Sequence, residues 1–177
     1  LLGDPSHTLD VVGITGTNGK TTTAQMLASI LNRAGRNCGV IGTLTGVRTT
    51  PEAPELQQLL AAFLAEGRRS VAMEVSSHAL DLHRVDGTRF RVGVFTNLSR
   101  DHLDHHHDMA AYFQAKAKLF EPDRCELAVL CTDDPHGRLL LDAALVPSLG
   151  YGIADATDLE ISETGSRFTW RGVAMAI

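Results

Sequence analysis

Apolar residues along the chain alternate between short continuous runs and longer stretches with helical spacing. Continuous runs predict buried strands, and apolar residues at every third or fourth position predict amphipathic helices. The predicted strands are residues 8–15, 38–42, 70–75, 90–96 and 127–131, and the predicted helices are 20–34, 52–66, a short one within 76–83, 109–120 and one that opens at 133–135. Strands that alternate with helices predict an α/β, doubly wound, mostly parallel sheet.

The pattern changes after about residue 150. Residues 159–161 and 167–170 alternate between apolar and polar side chains around Gly165. Such alternation about a glycine predicts an antiparallel hairpin. We therefore expect the start of a small antiparallel β subdomain at this end of the chain.

A glycine-rich loop lies between the first predicted strand and the first predicted helix. Its sequence is Gly16-Thr-Asn-Gly-Lys-Thr21. Glycines let successive N–H groups converge on an anion, and the N-terminus of the following helix attracts negative charge. Lys20 would neutralise the β- and γ-phosphates of a nucleotide, and the Thr21 hydroxyl would bind Mg²⁺. The general pattern also requires a glycine at the position of Ile14, and an ordinary glycine-rich turn at the start of a helix is the alternative.

This loop supplies the predicted nucleotide-binding residues. They are Thr15, Gly16, Thr17, Asn18, Gly19, Lys20, Thr21 and Thr22.

Potential metal ligands follow two further predicted strands. Glu74 ends the third strand, and the loop 101–104, which contains His102, follows the fourth. The carboxyl ends of parallel strands share one sheet edge, so Glu74 can hold Mg²⁺ beside the glycine-rich loop. A surface glutamate and a loop histidine bonded to backbone are the alternatives. We expect the three histidines at 105–107 to face solvent.

The helix predicted over 109–120 carries two lysines. Lys116 falls on its apolar stripe, and Lys118 faces roughly the opposite way at ~100° per residue. A lysine on a buried face must reach solvent, find a partner or lose its charge, and reaching solvent is the more common outcome. An uncharged lysine can instead react with CO₂, giving a carbamate whose oxygens suit Mg²⁺. The stripe itself consists of Met109, Tyr112, Phe113, Leu119 and Phe120.

Composition narrows the class of protein. The 177 residues are 44% apolar and 21% charged, which is typical of a globular domain, and the net charge of −5 with no basic patch argues against a nucleic-acid partner. No apolar run approaches the length of a membrane span, so no membrane insertion is expected. The three cysteines are odd in number and lack metal-ligand spacing, which favours reduced thiols and a cytoplasmic location.

Five segments resemble the Mur ligase family of peptidoglycan synthesis. The glycine-rich segment 13–21 has the form shared by Mur ligases and folylpolyglutamate synthetases, including the residue at position 14. Segments 73–80 and 95–104 resemble the branch of the family that adds the third amino acid of the peptide. The other two segments are 49–51 and 112–120.

The resemblance implies an ATP-dependent ligase. Its substrates would be UDP-N-acetylmuramoyl-L-alanyl-D-glutamate and an amino acid, either meso-diaminopimelate or L-lysine, joined through an acyl phosphate. It implies two Mg²⁺ ions, one held by Thr21 and Glu74, and a second by Glu74, His102 and Lys116 as its carbamate (N6-carboxylysine). With Lys20, these last three form the implied catalytic set.

The resemblance also implies contacts with the UDP-muramoyl-dipeptide. Thr49, Thr50, Ser76 and Arg84 match those positions, whereas Leu82 stands where relatives often have a glutamine.

The same resemblance implies a domain organisation. Residues 1–177 would be the central ATP-binding domain, with 150–177 beginning its β-hairpin subdomain, and the N-terminal UDP-binding and C-terminal amino-acid-binding domains absent. We therefore expect no complete ligation from this chain alone, and a monomeric full-length protein. A folylpolyglutamate-type ligase and a non-catalytic P-loop nucleotide-binding module remain the alternatives.

Overall fold

Two β-sheets form the framework of the protein, which is described by a computed structural model over residues 3–100 and 106–176. The larger sheet contains β1 (Asp10–Thr15), β2 (Cys38–Ile41), β3 (Ser70–Glu74), β4 (Val92–Phe95), β5 (Ala128–Cys131) and β6 (Ser148–Tyr151). Its strand order is β2-β3-β1-β4-β5-β6, and all neighbours are parallel. The smaller, antiparallel sheet contains β7 (Ala156–Ser162), β8 (Gly165–Trp170) and β9 (Val173–Ala176).

Helices cover both faces of the larger sheet, as a doubly wound fold requires. They are α1 (Lys20–Arg33), α2 (Ala53–Ala65), α3 (Ser77–Asp81), α4 (Met109–Ala117) and α5 (Pro135–Asp142), with 3₁₀ turns at Pro5–His7, Lys118–Phe120 and Ile153–Asp155. Among the described helices, none is long and apolar enough to cross a membrane.

Side chains alternate between the two faces of each strand and so form two apolar cores. Ile14 and Ala72 pack with α1 on one face, whereas Val11 and Met73 pack on the other face with residues of α2 and α4. Glu74 is two residues from Ala72 and therefore points to the α1 face. This alternation places the one carboxylate of β3 on the side where α1 begins.

Three details differ from the sequence prediction. β6 was not predicted, because it is a four-residue edge strand that contains Ser148 and Gly150 and has no continuous apolar run. The predicted hairpin has a third strand, β9, and Gly165 is the first residue of β8 rather than the centre of the turn. The helix predicted to end at Phe120 leaves α-helical geometry after Ala117.

The carboxylate of Asp134 joins α5 to the segment that follows β4. Its Oδ2 accepts a hydrogen bond from the Leu98 N–H at 2.7 Å, and its Oδ1 accepts one from the His136 N–H at 2.8 Å, which caps the helix. Burial alone raises the pKa of the Asp134 carboxyl. The N–H donors of Leu98 and His136, with the His136 ring, outweigh it, and the net pKa lies below its usual value.

We predict that Asp134→Asn destabilises the protein at neutral pH. An amide has one acceptor oxygen instead of two, so one buried N–H loses its acceptor, and we expect the free energy of unfolding to fall by about 1–2 kcal/mol. Because the folded pKa is lowered, the contribution of the carboxylate is complete above its unfolded pKa of about 3.9 and is lost as the pH falls through the folded pKa.

Urea denaturation measured from about pH 7 down to about pH 2 checks this dependence. Asp142→Asn, at the exposed end of the same helix, is the control and should not lower stability. Equal stability of Asp134→Asn and the unchanged protein at neutral pH would contradict the prediction.

Candidate functional site

The loop between β1 and α1 has a backbone that only glycine accommodates well. Gly16 has φ 148° and Gly19, which caps α1, has φ 85°. A Cβ atom on Gly16 would lie 1.9 Å from the Thr96 Oγ1 atom. The glycine spacing that predicted a phosphate-binding loop therefore has a direct steric cause.

Residues that follow β4 hold this loop in place. The Thr17 N–H donates to the Asn97 carbonyl at 2.9 Å, and the Thr96 hydroxyl donates to the Asn18 carbonyl at 2.7 Å. The Asn18 N–H donates to Asn97 Oδ1 at 3.0 Å. The sequence did not indicate these contacts, because β1 and β4 become neighbours only in the folded sheet.

Lys20 lies across the same loop. Its Nζ atom donates to the carbonyl oxygens of Gly16 and Thr17, each at 2.9 Å. The ammonium group and the N-terminus of α1 together form a positive environment of the kind that suits a phosphate group. Of the predicted nucleotide-binding residues, the first, Thr15, has a buried side chain, and the last, Thr22, is exposed.

Glu74 lies within hydrogen-bond distance of the start of α1. The Thr21 hydroxyl donates to Glu74 Oε2 at 2.9 Å, and the Thr43 N–H donates to Glu74 Oε1 at 2.9 Å. Glu74 is only 2% exposed, and a Cβ on Gly42 would lie 2.2 Å from its Oε1. The predicted proximity of Glu74 and Thr21 is observed, whereas the role of Thr43 was not predicted.

Lys116 lies on the buried face of α4, as the helical pattern predicted, but it does not reach solvent, which was the more common outcome expected for such a lysine. It is 1% exposed, its Nζ donates to the Gly16 carbonyl at 2.9 Å, and it lies 4.3 Å from the centre of the Tyr112 ring. Lys118 is more accessible, with 37% of its side chain exposed and its Nζ 2.6 Å from Asp81 Oδ1. Lys20 and Lys116 thus converge on one carbonyl of the phosphate-binding loop.

The donors that are present suit a magnesium ion. Carboxylate and hydroxyl oxygens such as those of Glu74 and Thr21 are the ligands that Mg²⁺ prefers. Within residues 3–100 and 106–176, no group of three or more His, Cys, Asp or Glu side chains is placed to hold a metal. His102 and the rest of 101–105 lie outside the described residues, so the second metal site stays a prediction.

The residues predicted to contact the UDP-muramoyl-dipeptide lie close to Glu74 and to one another. The Thr50 hydroxyl donates to the Glu74 carbonyl at 2.9 Å and accepts the Ser76 N–H at 3.0 Å. Arg84 Nη1 donates to the Thr50 carbonyl at 3.5 Å. Thr49 lies 3.0 Å from the Thr43 hydroxyl, oxygen to oxygen.

Arg84 retains hydrogen-bonding capacity in this cluster. Its Nη2 pairs with Glu52 at 3.1 Å, while its buried Nε has no hydrogen-bond partner among the described residues. The four predicted substrate residues thus share one region, where the Arg84 guanidinium contacts Glu52 and the Thr50 carbonyl.

One prediction about the histidines is wrong. His106 is 2% exposed rather than facing solvent, whereas its neighbour His107 is exposed. The His106 ring nitrogens lie 2.8 Å from Ser77 Oγ and 3.2 Å from Asp81 Oδ2. Three consecutive histidines have no periodic pattern, so the sequence did not show which one is buried.

Comparisons of the sequence and of the structure with known proteins all point to the same family. The profile of the Mur ligase middle domain matches residues 14–175. The chain is 48% identical over 165 residues to the UDP-N-acetylmuramoyl-L-alanyl-D-glutamate–2,6-diaminopimelate ligase of Alkalilimnicola ehrlichii, a match that covers 87% of the chain and 33% of that protein. It is 43% identical over 188 residues to the ligase of the same name from Geobacter sulfurreducens, covering 97% and 36%.

A solved structure of a UDP-N-acetylmuramoyl-L-alanyl-D-glutamate–2,6-diaminopimelate ligase has the same fold. It superposes with a TM-score of 0.83 at 31% identity and covers 96% of the chain and 39% of that structure. The chain therefore spans about a third of the length of the curated relatives it matches. The profile match over 14–175, together with the glycine-rich loop and the geometry around it, establishes that the chain belongs to the Mur ligase family, in which it matches the middle domain.

Proposed function

We propose that this chain is the central ATP-binding domain of a cytoplasmic ligase of peptidoglycan precursor synthesis. The ligase adds meso-diaminopimelate to UDP-N-acetylmuramoyl-L-alanyl-D-glutamate. The observation that carries the proposal is the position of Glu74, whose carboxylate accepts from Thr21 at the phosphate-binding loop and whose carbonyl accepts from Thr50. The names of the relatives support diaminopimelate over lysine as the added amino acid.

The reaction has two steps. A carboxylate of the dipeptide attacks the γ-phosphorus of ATP, which forms an acyl phosphate and releases ADP. The amine of the incoming amino acid then attacks the acyl carbon, phosphate leaves, and a proton is lost as the amide forms. The first step brings two anions together, so positive charge that is already in place lowers its barrier. Lys20 and the N-terminus of α1 would supply that charge.

Two Mg²⁺ sites belong to the proposal. Thr21 and Glu74 would hold the first ion, and Glu74, His102 and carbamylated Lys116 the second. Bound Mg²⁺ neutralises phosphate charge. Carbamylation requires that the Lys116 ammonium lose a proton and that the amine add to CO₂, releasing a second proton.

The proposal includes domains beyond this chain. An N-terminal domain would hold the UDP group and a C-terminal domain the amino acid, in a protein that acts as a monomer. The 177 residues alone would then bind ATP weakly and complete no ligation.

Phosphate release by the complete ligase tests the function. We expect release from ATP only when both UDP-N-acetylmuramoyl-L-alanyl-D-glutamate and diaminopimelate are present. Dependence on a folate and glutamate would favour a folylpolyglutamate-type ligase. Nucleotide binding without release under any of these conditions would favour a non-catalytic module.

We predict that Glu74→Gln weakens the use of magnesium. Glutamine keeps the shape of the side chain and its contact with the Thr43 N–H but is a poor ligand for a hard cation. We expect kcat/KM to fall about a hundredfold and the half-saturating Mg²⁺ concentration to rise. Magnesium titrations of ligation measure both effects. Glu55→Gln, on the exposed face of α2, is the matched control, and an unchanged magnesium dependence of Glu74→Gln would rule out the ligand role.

We predict that Lys116→Arg abolishes CO₂ uptake and slows ligation about a hundredfold. Arginine keeps a positive donor for the Gly16 carbonyl, but its guanidinium does not deprotonate and cannot form a carbamate. Carbon-13 NMR after incubation with labelled bicarbonate detects the modified lysine, and Lys118→Arg is the control that should retain the signal. A carbamate signal that persists in Lys116→Arg, or ligation at the unaltered rate, would contradict the assignment.

A further inference from the structure

α3 is too short to be stable by itself. It has five residues, and its first turn is capped by the Ser76 hydroxyl, which accepts the Ala79 N–H at 3.1 Å. Helices of this length do not form in isolation, because nucleating the first turn is unfavourable. The position of α3 must therefore be fixed by tertiary contacts.

His106 provides two of these contacts, one at each end of the helix. Ser77 is the first residue of α3 and Asp81 the last. Residues four apart lie on one face of a helix, so one imidazole ring can reach both. Nε2 lies 2.8 Å from Ser77 Oγ, and Nδ1 lies 3.2 Å from Asp81 Oδ2. Asp81 also accepts from Lys118 Nζ, which ties the same carboxylate to the turn after α4.

These residue types are those of a hydrolytic Ser–His–Asp triad, but burial excludes that activity. Ser77 and His106 are each 2% exposed, so a substrate cannot reach the serine oxygen in this arrangement. A nucleophile must be accessible to the bond that it attacks. The contacts are therefore positional.

The helix that His106 holds carries the proposed dipeptide site at both ends. Ser76 directly precedes α3, and Arg84 follows it by three residues. Both contact Thr50, through the Ser76 N–H and through Arg84 Nη1. A shift of α3 therefore moves both Ser76 and Arg84.

On its other side, His106 packs against the helix that contacts the phosphate-binding loop. Its ring lies 5.0 Å from the Tyr112 ring, centre to centre. The Tyr112 hydroxyl is 3.3 Å from Thr17 Oγ1, and Lys116, one turn further along α4, reaches the Gly16 carbonyl. The buried His106 side chain thus lies between α3, which adjoins the proposed dipeptide site, and α4, which contacts the glycine-rich loop.

We propose that His106 is a positioning residue for the ligation reaction. By clamping α3 through Ser77 and Asp81, it sets the position of the dipeptide site relative to the glycine-rich loop. The proposal rests on the proposed function. We expect a change at His106 to affect the dipeptide site and not the glycine-rich loop, because Thr96 and Asn97 hold that loop through hydrogen bonds that do not involve His106. The expected consequence is selective: binding of the dipeptide weakens, and binding of ATP does not.

The test uses four variants of the complete ligase: His106→Ala, Ser77→Ala, His106→Gln and His107→Asn. For His106→Ala and Ser77→Ala we expect KM for the UDP-muramoyl-dipeptide to rise about tenfold, with KM for ATP within about twofold of the unchanged protein. His106→Gln places an amide near Nε2, keeps a partner for Ser77 and should fall between His106→Ala and the unchanged protein. His107→Asn should change neither constant, because His107 is exposed and its φ of 59° is accessible to asparagine.

A merely structural role gives a different result. The two KM values would then change together, or neither would change while the fraction of folded protein falls, and either outcome overturns the proposal. Ser77→Ala removes a single oxygen atom, so it keeps the test valid if His106→Ala does not fold.

Amide hydrogen exchange separates this inference from the proposed function. If the unchanged protein joins no amino acid to the dipeptide, the proposed function fails, yet the clamp is still measurable as the protection of residues 77–81. Faster exchange of that segment in Ser77→Ala, with unchanged exchange in residues 16–21, supports the clamp. Unchanged exchange over 77–81 refutes it.

Discussion

The hydrogen bond between the Thr21 hydroxyl and the buried Glu74 carboxylate is the contact on which the candidate site depends. It forms because β1 and β3 are adjacent and parallel, with Ile14 opposite Glu74. β4 flanks β1 on the other side, with Thr15 opposite Phe95, so the segment after β4 reaches the same edge. The register of β3, β1 and β4 therefore brings together the glycine-rich loop, Thr96 and Asn97, which support it, and the Glu74 carboxylate.

Two buried charged side chains converge on this edge at a cost in stability. Transferring a carboxylate or an ammonium group from water into a protein interior costs several kcal/mol unless hydrogen bonds replace the lost solvation. Glu74 is compensated by Thr21 and Thr43, and Lys116 by the Gly16 carbonyl and the Tyr112 ring. Both groups are thus held by specific contacts beside the glycine-rich loop, and buried ionisable groups of this kind cluster at functional sites.

Local pattern predicted the strands β1 to β5, the helices between them and the apolar face of α4 on which Lys116 lies, since each follows from residue spacing within one segment. It failed where an element owes its existence to a neighbour. β6, a short edge strand paired to β5, was missed because it depends on that neighbour. α3 was predicted as a short helix within 76–83, but the pattern did not show that His106 contacts it at Ser77 and Asp81. The burial of His106 was missed for the same reason, because nothing within the histidine run distinguishes it from its neighbours.

The sequence by itself determined the glycine positions of the glycine-rich loop, the alternation of strands and helices, and the face of α4 on which Lys116 lies. These are properties of backbone sterics and helical period, which act within a few residues. Only the tertiary structure decided that Thr43 donates to Glu74, that Thr96 and Asn97 support the loop, and that His106 bridges α3 and α4. Such contacts join residues far apart in sequence, and their partners are fixed by strand order and register.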